Sequence, residues 1–440
     1  MNTTAWLDAN SRTFIDISKY IWDNPEIALE EKKASKLLAS TLQEAGFEIT
    51  WEIGGMPTAF RATWGSGKPV LGFLGEYDAL PGLSQTADCH RKAVVEGGSG
   101  HGCGHNLLGT GAMAAVLALK QHMEETKSSG ILIFYGCPAE ETMTGKIRMA
   151  AAGAFRELDV ALTWHPWQFN GVLAMNMQAM NTVRFTFHGV SSHAAASPEM
   201  GRSALDAVEL MNVGVNYLRE HITDDVRIHY TITNGGGQPN LVPSLAQSWY
   251  YIRAKNRTVV DNTFDRICDI ARGSALMTGT TVEIQLETGC WDILPNYPLY
   301  ELLHCCMEEI PLPGWSEENR EFARTAMGGS ALLHEGIKPL SETSGAIPGS
   351  SDISDVSWIV PTAQIGVAAV PMNAACHTWQ FTACAGSSMG QQSMIYAAKV
   401  LAMAGIRLLA EPELIQKAKE SYVQARGGIV YHTITPRNIS

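Results

Sequence analysis

Three residues able to bind a transition metal stand at alternate positions near residue 100. In the stretch HGCGHNLLG, His101, Cys103 and His105 are separated by single glycines and lead directly into an apolar segment. Imidazole nitrogen and thiolate sulfur are good ligands for zinc and related metals, and glycine lets the backbone approach another group closely. A glycine-rich turn before a core helix, with histidines that bind nothing, would also fit this stretch. Residues elsewhere in the chain have to discriminate between the two interpretations.

Further polar residues follow apolar runs that are typical of buried strands. Asp78 follows KPVLGFLGEY, the pair Glu140 and Glu141 follows GILIFYGCPA, His165 follows LDVALTW, and His377 comes after TAQIGVA. In open α/β sheets, ligands bind beyond the carboxyl ends of the strands, so we expect these side chains to lie close together. Thiolate, imidazole and carboxylate donors from separate segments suit a hydrolytic site that holds two metal ions.

Each of these residues also has a purely structural explanation. The paired carboxylates could be solvated surface charges, Asp78 could fix a turn, and Cys103 could be a small buried hydrophobic residue. Each histidine could be a core residue with its ring nitrogens satisfied. Convergence of all of them at one edge of a sheet is therefore the expectation that separates a metal site from chance.

The order of the predicted elements indicates a two-domain α/β protein, as expected for 440 residues. Helices over Thr4–Trp22 and Leu29–Ala45 precede apolar strands that alternate with helices, which predicts a mostly parallel sheet sandwiched by helices. After about residue 180 the order becomes strand, helix, strand, strand, helix, strand, typical of a ferredoxin-like unit. We expect a catalytic domain of residues 1–179 and 289–440 with an inserted domain of residues 180–288.

Composition excludes several classes of protein. The net charge of -12 and the absence of a Lys/Arg cluster argue against nucleic-acid binding. The chain has no uninterrupted apolar run of about 18 residues, so we expect no membrane span. The first residues read as an amphipathic helix rather than a signal peptide. Nine cysteines without pairing spacings predict reduced thiols and a cytoplasmic location.

The motifs GEYDALPGL, HGCGHNLLG, PAEE, TWHP and HTWQ resemble those of a family of dinuclear metallohydrolases. The family includes carboxypeptidase G, aminoacylase and hippurate hydrolase, and the Cys-x-His form resembles its amidohydrolase branch, which also holds the plant auxin–amino-acid hydrolases. The resemblance covers nearly the whole chain in order. It implies a zinc-exopeptidase-like catalytic domain and an inserted domain that serves as lid and dimerisation domain.

The resemblance also implies roles for individual residues. Cys103 would bridge two metal ions, Glu140 would be the general base, and Asp78 would orient a ligand. The remaining metal ligands would be His105, Glu141, His165 and His377. His101 would support the ligands without binding metal. Relatives without Cys-x-His use a His-x-Asp motif whose histidine position is Glu76 here, so only Asp78 is retained.

In the inserted domain the resemblance implies residues that act on the substrate. His193 would reach across a dimer interface and stabilise the oxyanion formed from the scissile carbonyl. Asn240 and Arg253 would grip the substrate carboxylate, a task suited to the planar guanidinium group. Arg257 is the competing candidate for the arginine.

The resemblance implies a metal-dependent amidohydrolase that cleaves N-acyl amino acids, with p-aminobenzoyl-glutamate as the first candidate substrate. Indoleacetyl-aspartate, other N-acyl amino acids and dipeptides are the alternatives. The cofactors would be two divalent ions, Mn²⁺ or Zn²⁺, and the chain would form a homodimer through the inserted domain. A non-catalytic or partner-dependent subunit of a hetero-oligomer is the alternative from another class.

Overall fold

The computed structural model describes residues 3–347 and 349–439, and the chain divides into two compact units. Unit 1 comprises Met1–Met175, Leu294–Gly345 and Asp355–Tyr431, and unit 2 comprises Asn176–Ile293, Ala346–Ser354 and His432–Ser440. The sequence-based boundaries at 180 and 288 lie a few residues inside the main segment of unit 2. The two short later segments, which we expected in the catalytic domain, belong to unit 2 instead.

Fourteen strands are formed by the described residues. They are β1 (Glu48–Trp51), β2 (Phe60–Ser66), β3 (Val70–Glu76), β4 (Gly130–Cys137), β5 (Val160–Trp167), β6 (Gly171–Val172), β7 (Asn176–Met177), β8 (Ala179–His188), β9 (Arg227–Asn234), β10 (Leu245–Ala254), β11 (Thr281–Cys290), β12 (Ala346–Ile347), β13 (Thr362–Ala368) and β14 (Arg437–Ile439).

Thirteen α-helices accompany them in the same part of the chain. They are α1 (Thr3–Asp23), α2 (Lys32–Glu44), α3 (His105–Thr126), α4 (Gly145–Ala151), α5 (Ala204–Leu218), α6 (Arg257–Thr278), α7 (Tyr297–Glu309), α8 (Glu317–Ala326), α9 (Leu340–Thr343), α10 (Ile353–Ser357), α11 (Trp379–Gly386), α12 (Ser388–Ala410) and α13 (Pro412–Arg426).

Unit 1 is built on a seven-stranded sheet with the order β1-β2-β4-β3-β5-β13-β6. The four central strands are parallel, and the strands at both edges run antiparallel to their neighbours. Every residue of β3 and of β13 is buried. Because successive side chains point to opposite faces of a sheet, both faces must be covered, as is usual for parallel strands.

The helices that contact this sheet include α2, α3, α7 and α12. Helix α12 is long and apolar enough to cross a membrane by length and composition alone, but about two thirds of its most apolar window is buried inside the protein. Its apolar residues pack in the hydrophobic core with those of α3 and the central strands. Core packing therefore accounts for its composition.

Unit 2 contains a five-stranded antiparallel sheet with the order β14-β11-β8-β10-β9 and its own hydrophobic core. Helices α5 and α6 pack against it, and alternate residues of β10 are buried. The chain order from β8 to β11 is the expected β-α-β-β-α-β. The predicted α/β class, with a mostly parallel sheet and an inserted ferredoxin-like unit, is confirmed.

Helix α6 begins at Arg257, three residues after β10 ends at Ala254. The side chain of Asn256 caps it by accepting a hydrogen bond from the Val259 amide at 3.0 Å. Arg257 consequently lies in the first turn of a helix and not in the loop that follows β10.

Candidate metal centre

The glycine-rich loop before α3 is shaped by close backbone contacts. A side chain at Gly100 would place its Cβ 2.0 Å from the carbonyl oxygen of Leu83, and Gly104 has a φ of +76°. Both positions therefore require glycine. The carbonyl of Gly102 accepts a hydrogen bond from the His377 amide at 3.1 Å, so this loop is tied directly to the late segment that carries the last expected ligand.

All five expected metal ligands come together in unit 1. The ligand atoms of Cys103, His105 and His165 lie within 4.8 Å of one another, and those of Cys103, Glu141 and His377 do the same. The two groups share only the Cys103 sulfur, which lies 3.5 Å from His165 Nε2. Two cations held by these groups would share the Cys103 sulfur as a ligand.

Hydrogen bonds orient the imidazoles of His105, which is buried, and of His165, which is partly buried. His105 Nδ1 lies 3.0 Å from Asp78 Oδ1 and 3.1 Å from the Asp78 carbonyl oxygen. Both oxygens are acceptors, so Nδ1 carries a hydrogen and Nε2 is the nitrogen that faces the other donors. His165 likewise donates from Nδ1 to the Pro166 carbonyl at 2.7 Å, which leaves its Nε2 facing Cys103. Asp78 also accepts from the Glu141 amide at 3.0 Å and thus links both ion positions.

Within the described part of the chain, two buried ligand atoms have no hydrogen-bond partner: His105 Nε2 and Glu141 Oε1. Buried polar atoms are almost always paired, and both of these atoms belong to the groups described above. Sulfur, nitrogen and oxygen donors in this proportion suit zinc or manganese. The residues therefore fit a pair of divalent cations.

Burial disfavours the charged forms of the side chains expected to bind metal. It raises the pKa of Glu141, and together with the Glu141 carboxylate it raises the pKa of the Cys103 thiol well above its usual value. Burial, aided by His105, lowers the pKa of His165 to about 4, so this ring is neutral and able to bind metal. Cations would compensate the carboxylate and thiolate charges that burial disfavours.

The expected general base adjoins the same centre. Glu140 is buried, and its Oε2 lies 4.0 Å from His105 Nε2. The preceding residue, Ala139, has a φ of +55°, a conformation that costs a non-glycine residue energy. The side chain of His377, with a φ of +60°, is about half exposed and lies 3.4 Å from Glu141.

His101 is buried but lies outside both donor groups. Its Nε2 donates to the carbonyl of Ile21 at 3.2 Å, and burial lowers its pKa to about 3. The neutral ring thus fixes the glycine-rich loop to the end of α1, which agrees with the expected supporting position.

Three neighbours of the centre were not expected from the sequence. Glu76, at the end of β3, has one oxygen 3.2 Å from His105 Nε2 and the other 2.6 Å from the Nζ of Lys146. Glu31 accepts a hydrogen bond from the Ala139 amide at 2.9 Å. The position of Glu76 at a strand end was a usable signal, whereas nothing in the sequence relates Glu31 or Lys146 to the centre.

Aromatic side chains follow His165 in the chain, at the end of β5 and just beyond it. The ring of Trp167 lies 5.5 Å from that of His165, and the ring of Phe169 lies 6.4 Å from Trp167. Both aromatic residues are partly exposed. They form a partly exposed aromatic surface that begins at a metal ligand.

In unit 2, His193 and Asn240 are neighbours. His193 Nδ1 accepts hydrogen bonds from the amides of Ala195 and Ala196 at 3.2 and 3.1 Å. The proton of the neutral ring must therefore lie on Nε2, which makes His193 a hydrogen-bond donor at an exposed position. The amide of Ala194 donates to the carbonyl of Asn240 at 3.0 Å.

Most of β10 separates Asn240 from Arg253 along the chain. Asn240 precedes the first residue of β10, Leu245, whereas Arg253 lies near the last. The eight residues of extended strand from Leu245 to Arg253 span roughly 26 Å. The pairing of Asn240 with Arg253 on one substrate carboxylate stays a prediction.

The two candidate arginines, Arg253 and Arg257, differ in how accessible their guanidinium groups are to a ligand. The Arg257 guanidinium is buried and donates to the carbonyls of Met180 and Cys290 and to Asp261. Arg253 is partly exposed, with its guanidinium 5.5 Å from the ring of Tyr251. The guanidinium of Arg253 is therefore accessible to a ligand, whereas that of Arg257 is used in hydrogen bonds within unit 2.

Comparison with known proteins gives matches along most of the chain. Residues 72–382 match the model of the peptidase family M20/M25/M40. The chain is 39% identical to one of the named subunits of the p-aminobenzoyl-glutamate hydrolase of Escherichia coli, covering 99% of this chain and 97% of that protein. It is 32% identical to human Xaa-Arg dipeptidase, covering 92% and 88%. The solved structure of an aminobenzoyl-glutamate utilization protein from Klebsiella pneumoniae has the same fold, with a TM-score of 0.66 at 16% identity over 92% of this chain and 98% of that one.

Proposed function

The chain belongs to peptidase family M20/M25/M40, and we propose that it is a metal-dependent amidohydrolase that cleaves N-acyl amino acids. The observation that carries this proposal is the pair of donor groups that share the Cys103 sulfur, with the Glu140 carboxylate beside them. Two bound divalent cations would make water a better nucleophile and would polarise the substrate carbonyl. Mn²⁺ and Zn²⁺ are the candidate ions, because the donors are sulfur, nitrogen and oxygen.

Glu140 acts as general base and then as general acid. It takes a proton from the attacking water as the carbon–oxygen bond forms, and it delivers that proton to the amide nitrogen as the carbon–nitrogen bond breaks. The products are a carboxylic acid and a free amino acid. Asp78 supports the reaction by fixing the ring of His105 and the backbone of Glu141.

His193 supplies a hydrogen bond to the developing oxyanion. The bonds from Ala195 and Ala196 to its Nδ1 favour this role, because they leave the Nε2 proton available for donation. Arg253 binds the carboxylate of the substrate, and its partly exposed guanidinium supports this assignment.

The proposed substrate is p-aminobenzoyl-glutamate. The Escherichia coli relative, by its name, hydrolyses this compound, and the aromatic surface of Trp167 and Phe169 beside His165 suits an aromatic acyl group. The name of the human relative favours dipeptides as the second candidate, and indoleacetyl-aspartate is a third. Purified, metal-loaded protein should show its highest kcat/KM with p-aminobenzoyl-glutamate. A higher value with indoleacetyl-aspartate or an Xaa-Arg dipeptide would overturn the substrate assignment.

We also propose a homodimer formed through unit 2. Strand β9 is an edge strand of its sheet, and its residues Tyr230 and Ile232 are exposed. The outer edge of β9 is therefore available for pairing with a second copy of the chain. Most of β10 separates Asn240 from Arg253, and a dimer would allow the two residues that act on one substrate to come from different copies. Light scattering should give twice the mass of the chain, and a monomer at micromolar concentration would contradict the dimer.

A partner-dependent subunit is the second candidate function. The name of the Escherichia coli relative makes it one of several subunits of its hydrolase, which supports a hetero-oligomer. Protein that binds metal, hydrolyses no amide alone, and becomes active when a second chain is added would favour this candidate.

The nine cysteines, none of them disulfide-bonded in the structure, support a reducing, cytoplasmic location.

A further inference from the structure

The two carboxylate oxygens of Glu76 face different partners. Glu76 is 4% exposed, and its Oε1 lies 2.6 Å from the Nζ of Lys146, a side chain with no exposed surface. Its Oε2 lies 3.2 Å from Nε2 of His105. One oxygen is thus held by a buried ammonium group, and the other faces a proposed metal ligand.

The contact between Glu76 and His105 is not a hydrogen bond. His105 Nδ1 faces two oxygens of Asp78 and carries a hydrogen, so Nε2 is the nitrogen that faces Glu76. That nitrogen is also one of the buried atoms without a hydrogen-bond partner in the described part of the chain. Ligand atoms of Glu76, His105 and Glu140 lie within 4.8 Å of one another, and all three residues are buried, so a cation bound there would satisfy both Nε2 and the Glu76 oxygen.

The spacing fits two donors to the same ion. Nitrogen and oxygen ligands lie about 2.0–2.2 Å from zinc, so neighbouring ligands of one ion are separated by about 3 Å. The nearest Glu140 oxygen lies farther from the same nitrogen, at 4.0 Å. The ion pair with Lys146 fixes the orientation of the Glu76 carboxylate, as partners of metal ligands commonly do.

We propose that Glu76 is a further ligand of the cation held by His105, and that Lys146 is its positioning residue. The inference rests on the proposed function. It adds a carboxylate oxygen to the donors around His105, with which Glu76 forms a buried donor group.

Metal binding without any activity measurement tests this inference. Full-length protein is stripped of metal with a chelator and titrated with Zn²⁺, and separately with Mn²⁺, in competition with a chromophoric chelator. The main variant is Glu76→Ala with Lys146→Met, which removes both buried charges together and avoids leaving one of them unpaired. Lys146→Met alone retains the carboxylate. The control is Glu157→Ala with Arg61→Met, which removes an ion pair elsewhere in unit 1.

Wild type and the control should bind two ions per chain, and the Glu76→Ala/Lys146→Met variant should bind one of them at least tenfold more weakly. Lys146→Met alone should bind the same ion more weakly than wild type, but by a smaller factor than the double variant. Two ions bound with unchanged affinity by the double variant would overturn the inference, as would equal loss of an ion by Lys146→Met alone. Wild type that binds no ion would instead contradict the proposed function itself. Thermal melts of the metal-free proteins establish that each variant is folded.

Discussion

The carboxylate of Glu31 accepts a hydrogen bond from the backbone amide of Ala139 at 2.9 Å, across 108 residues of sequence. The same carboxylate accepts from the Leu29 amide and from the hydroxyl of Thr58. Ala139 has a positive φ and directly precedes Glu140. Glu31 therefore fixes the backbone at Ala139, which positions the side chain of Glu140, the proposed general base.

Glu31→Ala should lower kcat roughly 10- to 100-fold with little change in KM, because small displacements of a catalytic group are costly. It should also lower the free energy of unfolding by about 3 kcal/mol, since buried donors lose a charged acceptor. Steady-state kinetics and urea unfolding measure the two effects. Glu30→Ala, at the exposed neighbouring position, is the matched control, and equal kinetics for the two variants would contradict the positioning role.

Glu31 should also make stability depend on pH. Burial, with a contribution from Asp78, raises its pKa from 4.5 to about 7. The folded chain therefore binds a proton more tightly than the unfolded chain does, so the stabilising contribution is complete below about pH 4.5 and is lost as the pH rises through 7. The full loss is about 3 kcal/mol.

Glu31→Gln tests this pH dependence because the amide cannot ionise. The free energy of unfolding of wild type, minus that of Glu31→Gln, should fall as pH rises from 4.5 to about 8 in metal-free protein. Urea unfolding at each pH gives both values. A difference that stays constant or rises across this range would show that the pKa of Glu31 is not raised.

Glu140→Gln should reduce kcat by at least about a hundredfold, because the amide cannot accept the proton of the attacking water. Metal content should remain that of wild type, since Glu140 is not one of the proposed ligands. Elemental analysis on the same preparation as the kinetic assay provides both readouts. Near-normal turnover in this variant would refute the assignment of the base.

A mixture of two inactive variants tests whether His193 acts across the proposed dimer. Glu140→Gln and His193→Phe homodimers should each be nearly inactive. If His193 serves the neighbouring chain, each mixed dimer has one intact site, so a refolded equal mixture should recover about a quarter of wild-type activity. Recovery limited to the sum of the separate variants would contradict action across the dimer.

The parts of the site carried by strand ends were predictable from the sequence. The apolar runs of β3, β4 and β5 end next to Asp78, Glu140 and His165, and parallel strands bring their carboxyl ends to one edge. The same rule would have included Glu76, which ends β3. Lys146 gave no signal, because a buried lysine is recognised only once its partner is in place.

Contacts between distant segments set the limit of prediction. Glu31 reaches Ala139 through the packing of α2, which no local pattern encodes. The separation of Asn240 from Arg253 could not be predicted either, because sequence spacing says nothing about distance until β10 is known to extend between them. Arg257 was a candidate for binding substrate, but because Asn256 caps α6, Arg257 lies in the first turn of that helix and has a structural role.

The central claim is that two cations share the Cys103 sulfur, and metal stoichiometry tests it most directly. Elemental analysis of protein purified without chelators should give two divalent ions per chain. Cys103→Ala should lose at least one of them, whereas Cys305→Ala, at an exposed cysteine of the same unit, should keep both. Two ions retained by Cys103→Ala with wild-type affinity, or no ion in the wild type, would contradict the claim.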